Sequence, residues 1–391
     1  MRRLAVILLL LALPSMAAAA ERAPFTVGYL EIADDQRYAE IRSYTGLKLR
    51  TVHRPFPGAE VAARESRATG RALGLKLGLE HAAAADVAGL AAEIRRMRDA
   101  DGIRFFLVDA DADRLLALAD ATRDDQVLLF NISETADRLR RADCRANLMQ
   151  VIPSQAMLMD GLAQYLASRN WRRVLVLRGE RPADAVAVAA FERSATKFGL
   201  KIAAVKDFLL SNDPRNRAQN NIALMTAEPD HDVIFLADDY GEFGRYVPYQ
   251  THLPRPVAGS QGLRASAWHW AWERHGAPQL NQRFDKQAGR EMTDADWSAW
   301  AAYKLIVEAA ARTGSTDFNA VTAWLKGDAL RFDAYKGNPA SFRPWNNQLR
   351  QPILLHTHNA VTARAPLDGF LHRRDVLDTL GIDEPESKCR L

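Results

Sequence analysis

A chain of 391 residues is too long for one ordinary hydrophobic core, so two lobes are expected. Its 52 basic and 48 acidic residues nearly balance, and no long basic block stands out, which argues against nucleic acid as a partner. The formal charge of +4 falls to about +2 if a leader carrying Arg2 and Arg3 is removed.

The chain opens with Met1-Arg2-Arg3, an apolar run over residues 4–16 broken by Pro14, and Ala17-Ala18-Ala19-Ala20. That order is expected of a signal peptide over 1–20, cut near Ala20-Glu21, and the apolar run is too short for a membrane span. No later stretch is long and apolar enough to span a bilayer, so the exported chain is not expected to be membrane-embedded.

From residue 25 the pattern alternates between strand and helix. Residues 25–32 read as a strand, 59–73 as a helix, 75–79 as a short extended piece, and 87–98 as a helix with Val87, Leu90, Ala91, Ile94 and Met97 on one face. Residues 103–108 form a buried strand, 115–121 a helix and 127–132 another strand. A similar unit follows: helix 154–167 capped by Ser154, strand 174–177, helix 183–198 ended by Gly199, strand 202–208, helix 215–227 and strand 233–237. The fold class expected is α/β, two doubly wound parallel-sheet lobes with a ligand cleft between them, lined by loops at the carboxyl ends of the strands.

The last third changes character. Trp268, Trp270, Trp272, Trp297, Trp300 and Tyr303 are assigned to two long helical stretches, followed by helix 315–325 and strand 353–356. No run of Pro, Gly and Ser marks a floppy linker, which suggests a hinged clamshell. The two cysteines, Cys144 and Cys389, are not spaced for zinc, and an oxidising compartment favours a bridge between them over two free thiols.

The strand Val27-Gly28-Tyr29-Leu30, the stretch NLMQVIPSQAMLMDGLAQYLASRNWRRVLVLRG at 147–179, the late helices over 284–327 and the closing FDAYKGNPASFRPWNNQLRQPILL at 332–355 resemble the type I periplasmic binding proteins. These are the solute-capturing subunits of ABC importers of the branched-chain amino-acid class. In texture around CRANLMQVIPS and FRPWNNQLRQP the chain is similar to a branch that accompanies PQQ-dependent alcohol oxidation. The resemblance implies a periplasmic, non-catalytic, monomeric capture subunit, with a membrane permease as partner and no required cofactor. It implies lobe 1 from 21–142 plus about 255–330 and lobe 2 from 143–254 plus about 331–391, joined by a multi-strand hinge. A ligand sensor or adaptor of the same fold, with no transport role, is the alternative.

The loops that hold a ligand in amino-acid-binding relatives are acidic here, and they define the candidate ligand set. After the first strand come Glu31, Asp34 and Asp35; after the third, Asp109, Asp111 and Asp113; in the next loop Ser133, Glu134 and Thr135; in the second lobe Asp238, Asp239 and Tyr240, with Trp268 beyond. Close negative charges repel a further anion, which makes an amino-acid carboxylate a poor ligand on this reading. A bound calcium or lanthanide ion on Asp109, Asp111 and Asp113 is one outcome, since hard cations take six or more oxygens. An EF-hand is rejected, because the sixth position is Arg114 and the twelfth Asp120. The other outcome is helix capping by Asp111 or Asp113, with Arg114 and Arg138 as partners. A stacked aromatic ligand is a further reading of the tryptophans, beside core packing. His356 and His358 share a strand face without a third ligand. No Gly-x-Ser-x-Gly, His-Glu-x-x-His, Gly-rich phosphate loop or Cys-x-x-Cys is present, so the chain reads as a binder, not an enzyme.

Overall fold

A computed structural model describes residues 22–391 except Tyr44 and Asn212, so the expected leader lies outside the described residues. Five parallel strands form the first sheet, in the order Leu75–Ala84, Ala23–Ile32, Phe105–Asp109, Leu128–Asn131, Leu148–Gln150. The strand Phe105–Asp109 is buried throughout, as a central parallel strand covered on both faces must be. Its neighbour Ala23–Ile32 sends Val27 and Tyr29 to one face and Leu30 and Ile32 to the other. The first face packs on the helices Phe56–Ala72 and Asp294–Thr313; the second packs on Val87–Asp101 and Ala112–Ala121.

Four parallel strands form the second sheet, in the order Val257–Gly259, Val233–Ala237, Arg173–Arg178, Lys201–Asp207. Val174, Val176, Val233 and Phe235 face the helices Gln155–Ser168 and Pro182–Lys197, while Leu175, Leu177, Ile234 and Leu236 face Ile222, Met225, Phe243 and Val247. Ser154 caps the helix Gln155–Ser168 by accepting from the Met157 amide at 3.2 Å.

The chain crosses between the lobes three times. It leaves the first sheet after Gln150 for the helix Gln155–Ser168, returns through the strand Arg264–Ser266, and crosses again between Leu349–Arg350 and Ile353–His356. The strand Arg264–Ser266 pairs antiparallel with Ile353–His356, which pairs with Val361–Ala365. Phe332, Ala340, Phe342 and Leu349 pack in the first core, so the stretch assigned to the second lobe from about 331 begins on the first. Ile353, Leu355, Ala365 and Leu380 join the second core.

Other expectations shift for local reasons. The extended piece at 75–79 is a ten-residue strand to Ala84, because it pairs with the whole of Ala23–Ile32. The helix assigned to 215–227 is broken into a 3₁₀ turn and the short helices Arg217–Asn220 and Ile222–Met225, with Asn221 capping the second by accepting from the Leu224 amide. Trp268, Trp270 and Trp272 are not helical; they follow the hinge strand, and the next helix begins only at Ala277. Cys144 and Cys389 are bonded, with Cα atoms 5.5 Å apart. No helix among the described residues is long and apolar enough to cross a membrane.

Candidate functional site

Each sheet reverses its strand order at one point, and in open α/β sheets the crevice at that point takes the ligand. In the first sheet the reversal lies between Ala23–Ile32 and Phe105–Asp109, which places Glu31 beside Asp109 in register. In the second it lies between Arg173–Arg178 and Val233–Ala237, whose ends lead into Gly179 and Asp238.

The acids at these points are already occupied. Asp109 is fully buried and accepts from Arg37 Nη2 at 2.9 Å and from the Tyr38 hydroxyl at 2.8 Å. Arg37 also reaches Asp35 at 2.7 Å and donates to Ser133 Oγ at 3.1 Å. Burial pushes the Asp35 carboxyl up, but the Arg37 hydrogen bonds outweigh it and hold the group below the usual range. The Tyr38 hydroxyl is pushed well above its ordinary value by burial and by the Asp109 charge, so it stays a donor. Glu31 faces Arg54 at 3.2 Å and His81 at 3.3 Å, and the Arg54 guanidinium lies over the Tyr38 ring, 4.7 Å from its centre.

The expected cation site on Asp109, Asp111 and Asp113 is corrected by this geometry. Asp111 caps the helix Ala112–Ala121, accepting from the Arg114 amide at 3.0 Å, and pairs with the Arg114 side chain at 2.8 Å. Asp113 points to solvent and pairs with Arg138. The three carboxylates therefore serve a buried ion pair, a cap and a surface pair. No cluster of three or more His, Cys, Asp or Glu groups able to hold a metal occurs among the described residues.

Two adjoining cavities, about 710 and about 770 Å³, make up the cleft between the lobes, and both are bordered by Arg50, Thr135, Arg264 and Ala265. The first reaches Asp184, Asp238, Asp239, Tyr240 and Ser260 of the second lobe. The other reaches Arg37, Tyr38 and Ser133 of the first, with Trp270, His269 and His356 at the hinge end. From the expected set, Ser133, Thr135, Asp238, Asp239, Tyr240 and Trp268 border the cleft, whereas Glu31, Asp34, Asp35, Asp109, Asp111, Asp113 and Glu134 do not. Asp34 sits exposed in a turn, and Glu134 accepts from the Ala136 amide at 2.7 Å. Trp268 is 2% exposed, stacks on Trp297 and donates to Asn281 at 2.8 Å, so its bulk belongs to the core.

The acidic loop of the second lobe is also self-satisfied. Asp238 accepts from the amides of Gly241 and Gly244 at 2.9 and 2.6 Å. Asp184 accepts from the amides of Arg181 and Asp239 at 3.1 and 2.7 Å, and burial raises its pKa. The Arg181 guanidinium covers the Tyr240 ring at 3.0 Å. Asp239 meets Arg50 at 3.4 Å across the cleft. These carboxylates therefore already hold hydrogen-bond donors or an arginine, although Asp184 still feels the charges of Asp238 and Asp239.

Sequence reasoning missed Arg37, Tyr38, Arg50, Arg264 and His269. Arg264 follows the turn Gly259-Ser260-Gln261-Gly262 and stands opposite His356 in register, but a single charged residue there carries no recognisable motif. The rings of His269 and His356 lie 4.0 Å apart, and burial pushes both pKa values down to about 4. His356 Nδ1 lies 2.8 Å from the Thr357 carbonyl, and His269 Nδ1 accepts from the Ala271 amide at 3.2 Å. His358 follows the strand, in a turn.

Two sheets of this order, three crossings and one cleft between the lobes are decisive for the fold. The fold is that of a type I periplasmic binding protein. The periplasmic binding protein family model matches residues 56–240, the stretch from the first long helix to the acidic loop of the second lobe. Among solved structures, a branched-chain amino-acid ABC transporter periplasmic ligand-binding protein from Burkholderia xenovorans superposes with a TM-score of 0.71 at 16% identity, over 93% of this chain and 98% of that one. A solute-binding protein of an ABC transporter from Rhodopseudomonas palustris, in complex with 3,4-dihydroxybenzoic acid, gives 0.62 at 14% identity, over 87% and 94%. Another from R. palustris, in complex with benzoate, gives 0.63 at 11% identity, over 94% and 99%. No curated protein sequence matches the chain. Within this fold Arg264 and His356 lie on the hinge sheet, and the acidic loops lie at the two switch points.

Proposed function

We propose that the chain captures a small organic solute between its lobes in the periplasm and delivers it to the permease of an ABC importer. It does so as a monomer, with no covalent step and no cofactor. One observation carries this reading: both lobes border a single cleft, and the chain crosses between them three times at the hinge. A hinge of that kind lets the lobes close over a ligand. Two of the similar structures are complexes with 3,4-dihydroxybenzoic acid and benzoate, and small organic acids suit cavities of about 710 and 770 Å³.

A role beside PQQ-dependent alcohol oxidation is supported by the resemblance of CRANLMQVIPS and FRPWNNQLRQP alone. Those segments meet at the hinge, where the Gln150 amide donates to the Asn347 carbonyl at 2.9 Å, so they bear on the frame and not on the solute.

The test is closure. Small-angle scattering and tryptophan emission are recorded while the small-molecule fraction of a periplasmic extract, and then its purified components, are titrated in. A saturable emission change with a fall in radius of gyration is expected. No saturable binding from any fraction overturns the reading.

A further inference from the structure

We propose that the solute is an organic anion, its carboxylate held by Arg264 at the hinge and by Arg50 as the lobes close. This rests on the capture reading above and names the class of solute.

Arg264 borders both cavities and is exposed to them, yet its guanidinium makes no hydrogen bond or ion pair among the described residues. A guanidinium carries five donors, and elsewhere this chain engages them: Arg37, Arg54, Arg140 and Arg343 all bond within the protein. The nearest charges acting on Arg264 are Asp294 and Arg50, and neither pairs with it. Desolvation in the cleft lowers the Arg264 pKa; the Asp294 charge opposes that, and the smaller effect of the Arg50 charge adds to it. An arriving anion relieves both penalties at once.

The carboxylates around the cleft do not compete. Asp184 and Asp238 are held by backbone amides, and Asp294 accepts from the Trp268 amide at 2.9 Å. Glu291 lies exposed to solvent. Asp239 holds Arg50 at 3.4 Å, a loose and half-exposed pair that a closer carboxylate can displace. A planar fork suits a carboxylate, which it grips with two parallel hydrogen bonds.

The hinge end of the cleft describes the rest of the solute. The His269 and His356 rings and Trp270 supply a flat, uncharged wall there. A flat unsaturated body attached to the carboxylate fits that surface better than an ammonium-bearing one, which would face Arg50 and Arg264.

The experiment uses the mature protein at low ionic strength. Melting temperature and calorimetric affinity are measured with benzoate, cinnamate and hexanoate, each beside its amide. Stabilisation by a carboxylate but not by its amide is expected. Arg264→Met should weaken that binding at least about tenfold, as loss of a charge-assisted pair does, and Arg264→Lys should recover part of it. The unliganded melting temperature of Arg264→Met should stay within about 1 °C, since the side chain makes no bond to lose. An amide that binds as well as its acid, or unchanged binding by Arg264→Met, overturns the anion assignment while capture stands. If no periplasmic fraction binds either, the capture reading fails and this inference fails with it.

Discussion

Asp109, Asp111 and Asp113 stand within five residues of one another and do three different jobs. Removing Asp109 leaves the Tyr38 hydroxyl without its acceptor and leaves Arg37 with Asp35 as its one carboxylate, so Asp109→Ala should cost about 2 kcal/mol in urea unfolding. Asp111→Ala loses a cap and should cost about 1 kcal/mol. Asp113→Ala, at a side chain 87% exposed, should leave the midpoint unchanged. None of the three should alter calcium or lanthanum titrations, which should be flat for the parent protein. The cap was legible in the sequence, because an acid between a strand and a helix has a local use. The Asp109 pair was not, because Arg37 lies 72 positions away and only the fold brings it near. Histidine gives a pH prediction at the same scale. His269 and His356 titrate near pH 4 when folded and near their ordinary 6.5 when unfolded. The unfolded chain thus binds more protons between those values, and stability should fall as pH drops from about 6.5 to about 4. Replacing both by Gln should flatten that slope; an unchanged slope would show that other groups set it.

Among the elements, the crossing of the helices Phe56–Ala72 and Asp294–Thr313 has the least room. A Cβ on Gly58 would come within 2.0 Å of the Asp296 carbonyl oxygen, which belongs to backbone and cannot swing aside. Gly58→Ala should therefore destabilise by about 3 kcal/mol despite a better helix propensity, and a thermal melt will show the sign. The crossing is also where the Thr293–Asp296 capping box meets Arg290 at 2.6 Å, so a shift there disturbs a buried ion pair as well. Alternating strands and helices were readable because parallel strands are apolar throughout and the helices keep their period. The helix assigned to 215–227 was misread because Asn216, Asn220 and Asn221 offer local side-chain bonds that interrupt it. Trp268, Trp270 and Trp272 fell within a helical assignment although their two-residue spacing is itself not helical. A two-residue spacing can mean a strand or a loop, and here the loop wraps onto the core through Trp268 and Trp272.

Across the whole molecule, one buried arginine organises the hinge. Arg140 is 1% exposed and donates to Gln348 Oε1 and to the carbonyls of Glu134, Ala136 and Ile152, all between 2.9 and 3.0 Å. Those acceptors lie on two of the three crossings and on the loop that borders the cleft. Burial lowers its pKa to about 10, so it stays charged in neutral solution. Arg140→Met should cost about 3 kcal/mol by leaving buried carbonyls without donors, and should loosen the lobes, read as a larger radius of gyration. Two lobes and a cleft were legible from length and alternation. The polarity of the cleft was not, because counting acids in loops says nothing about which already hold donors or an arginine. Arg264, a single residue in a three-residue strand, became visible only once its lack of partners could be seen.

The bond between Cys144 and Cys389 also bears on how the protein is made. The chain has two cysteines, so one intramolecular pairing exists and no wrong one has to be undone. The partners are 245 positions apart, so the first thiol waits while the chain between them is synthesised. Maturation then calls for an oxidant and no isomerase. A strain lacking disulfide isomerase should yield normal amounts of bonded protein, whereas one lacking the oxidant should accumulate the two free thiols.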